Sequence, residues 1–451
     1  MDFTPSPRVE KLRTELLAFM DRYVYPAERV AVEQVHASGD EHMTPPIVKE
    51  LKQRAKAQGL WNLFMPDERY GPGLTNWEYG MLCELMGRNG VAPMVFNCAA
   101  PDTGNMEILA EHGTDAQQER WLQPLLDGEI RSCFSMTEPE SAGSDPTGLI
   151  SRADLDGDEW VVNGHKWFTS GYNGAALAIA MVVTDPDAAA HKRASMILVP
   201  VDTAGFEGVR PVPVMGHDEG PGHWEVRYED CRVPADNLLG ERGAGFAIAQ
   251  DRLGPGRIHH CMRAIGSAER AFELMCRRAH DRQAFGGPLA EKQFVQDFIA
   301  TSRMEIDQAR LMVLHAAWRM DTEGKRAARQ DISMIKVIAA QMHQRVLDRA
   351  MQVHGALGMS DDTPLAAAWR QGRWLRIADG PDEVHKMVIA LRELNRFGTE
   401  EQKREHFGHV VKGGTLAIAM SEPEAGSDVA ALKTRARRDN GEWVLDGAKM
   451  W

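Results

Sequence analysis

The feature that most constrains this chain is a double change of hydrophobic period. Val9, Leu12, Leu16, Met20 and Tyr23 recur at helical spacing, and similar periodicity runs on through Leu51 and Met81 to Leu109. From about Arg131 the pattern shortens into β-prone runs at Trp160 to Phe168, Ala178 to Val183, Met196 to Val201 and Trp224 to Tyr228. After Gly243-Ala244-Gly245 the helical period returns, as in Ile335, Ile338, Met342 and Val346, and continues to about Phe397. The expected order is therefore a helical domain over 1–130, a compact antiparallel β domain over 131–241 and a helical domain over 242–397. Within the β domain, Asn163-Gly164 between two apolar runs predicts a hairpin with a type I′ turn.

A chain of 451 residues, 43% hydrophobic and 26% charged, can bury a large core. The net charge of -13 argues against nucleic acid or an anionic membrane as the main partner. No run approaches the roughly 18 apolar residues of a spanning helix, and Met1 to Glu10 carries no signal or transit pattern, so the expected compartment is the cytoplasm. The six cysteines lack CxxC spacing and read as reduced core thiols, with no metal site expected.

Residues 398–451 repeat an earlier stretch. HGTDAQQERWLQPLLDGEI from His112 is echoed by FGTEEQKREHFGHVVKGGT from Phe397, and the Thr-Glu-Pro motif at Thr137 to Asp145 returns at Ser421 to Asp428. The second copy lacks the preceding helical region, so it is not expected to form a domain of its own. The glycine pairs at Gly71-Gly73 and Gly243-Gly245 lack the strand and helix context of a dinucleotide fingerprint and read as turns.

SMTEPESAGSD, the Asn163-Gly164 pair and KWFTSG together resemble the flavin-binding signature of the acyl-CoA dehydrogenase family. QVHGALG at Gln352 to Gly358 resembles a second signature of that family, and Asp379 follows Gln352 by the same 27 positions (379 minus 352) as the family's catalytic glutamate follows its glutamine. RLGPGRIHHCMR and ADGPDEVH look like the branch typified by animal acyl-CoA dehydrogenase family members ten and eleven, whose kinase-like domain this sequence does not contain. The resemblance spans Val9 to Phe397 and implies an α+β multidomain fold, in which a middle β-barrel or sandwich lies between a helical N-terminal domain and a C-terminal four-helix bundle.

It implies a chemistry too. Removing an α-proton as a proton and a β-hydrogen as a hydride needs a carboxylate and a flavin on opposite sides of the Cα–Cβ bond. The resemblance gives the base to Asp379, whose pKa burial of the thioester is expected to raise. Gly256 stands where some members carry a base, and glycine cannot serve. FAD contacts are implied at Phe134, Met136, Thr137, Phe168, Ser170, Arg282, Phe285, Gln293, Gln352, Gly355, Pro381 and Glu383. Substrate contacts are implied at Ser144, Arg257 and Gly380. Trp167, next to Phe168, is expected to point to the opposite face of its strand.

Adjacent His259 and His260 diverge by about 100° on a helix, so they read as packing residues rather than metal ligands. The implied activity is oxidation of an acyl-CoA to a trans-2-enoyl-CoA, with electrons passing to an electron-transfer flavoprotein and FAD sites shared within a homodimer or homotetramer. An oxidase using oxygen and a catalytically dead flavin- or CoA-binding scaffold are the competing readings.

Overall fold

The computed structural model describes residues 4–40, 42–217, 222–402, 404–405 and 434–447. Its contacts divide the chain into two units, Met1–Ile389 and Ala390–Trp451.

The first unit opens with helices α1 (Pro7–Phe19), α2 (Tyr25–Ser38), α3 (Pro46–Ala57), α4 (Asn76–Gly87), the turn α5 (Ala92–Val95), α6 (Asp102–His112), and the short α7 (Asp115–Gln117) and α8 (Gln123–Asp127). Local chemistry sets their starts. Ser6 caps α1 ahead of Pro7, and Thr75 with Glu78 forms a capping box on α4.

Strands follow: β1 (Ser132–Ser135), β2 (Arg152–Asp156), β3 (Glu159–Ser170), β4 (Leu177–Val183), β5 (Ala194–Pro200), β6 (Phe206–Pro211), β7 (His223–Pro234) and β8 (Leu238–Leu239). They form one sheet ordered β6-β7-β3-β1-β4-β5-β8, with β2 paired to β3 and β4. Pairing is antiparallel except for the β1–β4 and β2–β4 contacts, which are parallel. β4 is buried throughout because the sheet separates two cores. Leu177, Ile179, Met181 and Val183 face the helices, while Ala178, Ala180 and Val182 join Trp160, Val162 and Tyr228 on the other side.

The predicted hairpin at Asn163-Gly164 is not there, since β3 runs straight through both residues. The pair makes a bulge instead, where the register against β7 shifts between Val162 and Gly164. Asn163 bridges to the other strand, donating from Nδ2 to Asp230 Oδ1 at 3.0 Å and accepting from Asp230 N at 2.8 Å. A Cβ on Gly164 would strike Ser151. The chain turns earlier, at Gly157 (φ +65°) between the paired residues Asp156 and Glu159.

The second helical region comprises α9 (Gly245–Asp281), the two-stranded loop β9 (Gln283–Ala284) and β10 (Gly287–Pro288), α10 (Gln293–Glu323), α11 (Arg329–His354), α12 (Leu365–Leu375) and α13 (Asp382–Phe397). Gly243 (φ +77°) makes the turn before α9, as expected. α9 carries much of the site described below, and its crossing with α4 is set by two glycines. A Cβ on Gly266 would meet the Glu84 backbone, and one on Gly87 would meet the Arg263 backbone. Gly266→Ala should therefore destabilise the fold by about 1–3 kcal/mol of overpacking, in spite of alanine's better helix propensity. A lower urea midpoint at an unchanged slope is the expected reading, and an unchanged or higher midpoint would refute it.

The second unit contains a hairpin, β11 (Arg435–Asp439) and β12 (Glu442–Asp446), turned at Asn440-Gly441. It repeats the register of β2 and β3, with Asp439 opposite Glu442 as Asp156 is opposite Glu159. The packing is not repeated: Trp443 and Leu445 are 67% and 73% exposed, whereas Trp160 and Val162 are 3% and 0% exposed. The second motif, Ser421 to Asp428, lies outside the described residues. All six cysteines are free, five of them buried.

Candidate active site

Asp379 sits in the loop between α12 and α13, in the left-handed region at φ +55°, followed by Gly380 at φ +104°. Non-glycine residues rarely adopt this conformation, and aspartate is among those that do. Three helices hold the strained loop by its carbonyls. Arg257 Nε of α9 donates to Asp379 O at 2.9 Å, His385 Nε2 of α13 lies 3.3 Å from the same oxygen, and Lys336 Nζ of α11 donates to Leu375 O and, at 3.4 Å, to Gly380 O. Arg376 and the buried Asp382 close the loop at 2.8 Å. Arg257, expected to line a CoA channel, thus spends Nε on the backbone of the candidate base.

The Asp379 side chain is 20% exposed, and its Oδ2 lies 3.3 Å from His260 Nε2. Burial alone would raise the carboxyl's pKa, but His260, Arg252, Arg257 and Lys336 together hold it below its ordinary value. In the free site the shift therefore runs opposite to the rise expected on substrate binding.

His260 was not foreseen as more than packing. The structure separates it from His259, which stacks edge-on against Tyr79 at 4.7 Å and has no hydrogen-bond partner on either nitrogen. Arg252, also missed, lies buried with Cζ 4.0 Å over the Phe134 ring and Nε on Asn105 Oδ1 at 3.0 Å. Burial lowers its pKa against the favourable charges of Asp379, Glu107 and Asp102. Burial also lifts the Glu107 carboxyl to about 8, against the pull of Arg252 and Lys325.

The expected flavin residues of the β domain come together. Phe134 on β1 pairs with Ser170 on β3, and Thr137 O accepts from Trp167 N at 3.0 Å. Ser170 Oγ bonds His223 Nδ1 at 2.7 Å, and Phe168 lies 5.7 Å from the His223 ring. Strict alternation fails at this end of β3, where the register slips between Lys166 and Thr169 and Phe168 has φ +48°. The Trp167 and Phe168 rings consequently meet edge-to-face at 5.1 Å instead of pointing apart. A chain of ring contacts then reaches the candidate base, from His223 to Trp374 at 6.4 Å and from Trp374 to His260 at 5.9 Å.

Beneath the motif lies an ion pair that sequence reading passed over. Lys166 and Glu138 are wholly buried, 2.9 Å apart. Lys166 Nζ also donates to Met136 O at 2.9 Å and Met181 O at 2.7 Å, while Glu138 accepts from Ile150 N, Ser151 N and Ser141 Oγ. Burial works against both charges. Lys166 and the backbone donor at Ile150 nevertheless bring Glu138 down to about 2, and burial lowers Lys166 to about 8 in spite of Glu138. The sequence held a signal, because the repeat retains the pair as Glu422 and Lys449.

The remaining expected residues lie elsewhere. Arg282 precedes β9, Phe285 lies in the turn between β9 and β10 and is 97% exposed, and Gln293 begins α10. Gln352 and Gly355 are exposed at the end of α11, Ser144 is exposed on the loop after β1, and Glu383 is exposed beside the half-buried Pro381 at the start of α13. Among the described residues, neither the Arg282 group nor the Gln352 group shares a hydrogen bond or ring contact with Asp379 or His260. Among the described residues, Glu111, His112 and Asp251 have metal-ligand spacing, but Lys325 Nζ already lies 3.1 Å from Glu111 and 3.6 Å from Asp251.

Two buried imidazoles, His343 and His385, and the largely buried His260 make acid stability testable. Burial, with Arg263 beside His260 and Arg257 beside His385, brings His260 to about 3 and His343 and His385 to about 4, from an ordinary 6.5. The unfolded chain binds these protons first, so stability is full above the unfolded value and falls as pH drops towards the folded ones. Tm should decline steadily through that window, and less steeply in His343→Leu. A flat profile would contradict neutral burial.

Family models for the acyl-CoA dehydrogenase N-terminal, middle and C-terminal domains match residues 6–129, 133–231 and 243–394, and the middle-domain model matches again at 417–451. The chain is 53% identical to FadE2 of Mycobacterium tuberculosis, described as a probable acyl-CoA dehydrogenase, over 88% of this chain and 98% of that one. The chain belongs to the acyl-CoA dehydrogenase family. It is 50% identical to acyl-CoA dehydrogenase family member 10 of Mus musculus over 86% of its own length, but spans 37% of that protein. An acyl-CoA dehydrogenase structure from Mycobacterium abscessus superposes with a TM-score of 0.85 at 48% identity, covering 88% of this chain and all of the other (100%). Butyryl-CoA dehydrogenase of Megasphaera elsdenii gives 0.75 at 27% identity, with 87% and 100% covered. As an acyl-CoA dehydrogenase family member the chain is a flavoprotein oxidoreductase with FAD as its cofactor. No helix among the described residues is long and apolar enough to cross a membrane.

Proposed function

We propose that this acyl-CoA dehydrogenase family member oxidises an acyl-CoA to its trans-2-enoyl-CoA with Asp379 as the base, in a step such as that of fatty-acid β-oxidation. The observation that carries the reading is the Asp379 carboxylate, favoured in its charged form by Arg252, Arg257 and Lys336 and linked through His260, Trp374 and His223 to Ser170.

The residues suit a flavin. Phe168 offers a part-exposed ring beside the Ser170 hydroxyl, while Arg282 and Gln293 offer exposed donors for a pyrophosphate. When bound, FAD supplies the acceptor for the β-hydride. Asp379 takes the α-proton, so the substrate loses one proton to the chain and one hydride to the cofactor. The cationic groups around Asp379 keep it ionised until substrate arrives, and the three carbonyl clamps keep it in place.

Electron-transfer flavoprotein is the proposed next acceptor. A homodimer or homotetramer with shared FAD sites is the proposed assembly, and the exposure of Arg282, Phe285, Gln352 and Gly355 leaves them open to a second copy. Anaerobic addition of straight, branched and hydroxylated acyl-CoAs to the purified flavoprotein tests the reaction. At least one should bleach the flavin absorbance, and the proposal fails when none does.

A further inference from the structure

His260 faces a fixed group on each side. Nη2 of Arg263, one turn along α9, lies 3.1 Å from Nδ1, and Asp379 Oδ2 lies 3.3 Å from Nε2. A guanidinium only donates, so Nδ1 must accept, and the single proton of a neutral ring is confined to Nε2. Burial, reinforced by Arg263, brings the imidazole to about 3, so the ring is neutral near neutral pH. Trp374 packs edge-on against it at 5.9 Å, and the Gly87 and Gly266 crossing fixes the helix segment that carries both partners.

We propose that His260 is a positioning residue for the reaction: Arg263 keeps the ring's one proton on Nε2, the atom that faces Asp379 Oδ2 across 3.3 Å, leaving Oδ1 to receive the substrate's α-proton. This rests on the reading of Asp379 as the base. The other groups around the carboxylate act differently. Arg252 and Arg257 of α9 and Lys336 of α11 contribute charge, Arg257 and His385 bind the Asp379 carbonyl, and Asp382 of α13 is taken up by Arg376 and Gln341. Among the described residues, His260 is the side chain within reach of the carboxylate itself. A donor held on one oxygen lowers the carboxylate's proton affinity and fixes its plane. It also explains why His260 does not compete as a base, since its one lone pair is engaged by Arg263.

The test uses the full FAD-loaded chain and an acyl-CoA that the parent oxidises, following anaerobic flavin reduction against pH. In His260→Leu the acid limb should move up by about one pH unit, equivalent to about tenfold in proton affinity. The maximal rate should fall by about tenfold as the base loses its orientation, with KM within about twofold and FAD content unchanged. His260→Gln, whose Nε2–H reaches the same oxygen, should return the limb towards its parental position. Arg263→Met should shift it as His260→Leu does, because Nδ1 is then free to carry the proton.

A parental limb and rate in His260→Leu would overturn the proposal, and so would Gln and Leu variants with the same shifted limb. Should the Leu variant not fold, the Gln and Arg263 variants decide by the same criterion. Asp379→Asn run in parallel separates the two levels. Parental reduction there refutes the base, whereas its loss alongside an unmoved His260→Leu limb refutes only the role of His260.

Discussion

Asp379→Asn is expected to bind FAD and acyl-CoA normally and to reduce the flavin about 10²–10⁴-fold more slowly than the parent, the usual worth of a positioned general base. The substitution isolates chemistry from structure. Asparagine shares aspartate's tolerance of the left-handed conformation that the loop demands at φ +55°. Its backbone carbonyl still accepts from Arg257 and His385, and its amide oxygen can stand where the carboxylate oxygen lies 3.3 Å from His260 Nε2. What is lost is the charge and the ability to take a proton. A rapid-mixing experiment with one saturating acyl-CoA reads the rate directly, and the flavin spectrum before mixing reports loading. Parental reduction by Asp379→Asn would remove Asp379 from the mechanism.

The helix, strand, helix order was legible because burial writes period into sequence. Val9, Leu16 and Met20 line one helix face in the core, and Leu177, Ile179 and Met181 face the helices from one side of β4. Asn163-Gly164 misled because its chemistry is answered at a distance, by Asp230 on β7 and by the room that Ser151 needs. The resemblance singled out Asp379, Gly380 and Arg257, and the fold brings these three together in one loop neighbourhood. His260, Arg252 and Lys166 were not legible, because nothing local distinguishes a buried working cation or imidazole from a surface one. Their meaning comes from partners on other elements, such as Asp379 for His260 and Glu138 for Lys166. His259 and His260 are neighbours with opposite outcomes, decided by which side of α9 each faces.

The largest effect on stability is expected at Lys166, where Lys166→Met should cost about 3–5 kcal/mol, as breaking one side of a buried pair commonly does. The variant leaves the Glu138 carboxylate with three donors but no cation, and it strips a donor from the carbonyls of Met136 and Met181. Those carbonyls fasten β3 to the segment after β1 and to β4, so Thr137, Trp167 and the Phe134–Ser170 pairing should loosen with them. FAD retention through gel filtration should drop along with the urea midpoint. Charge, rather than volume, is the cause, which the double variant Lys166→Met with Glu138→Gln can show. Removing both charges leaves no unpaired ion, so the double variant should be more stable than Lys166→Met alone. Costs that simply add in the double variant would mean that the two groups act independently, and the buried pair would then not be what holds the flavin-facing strands in register.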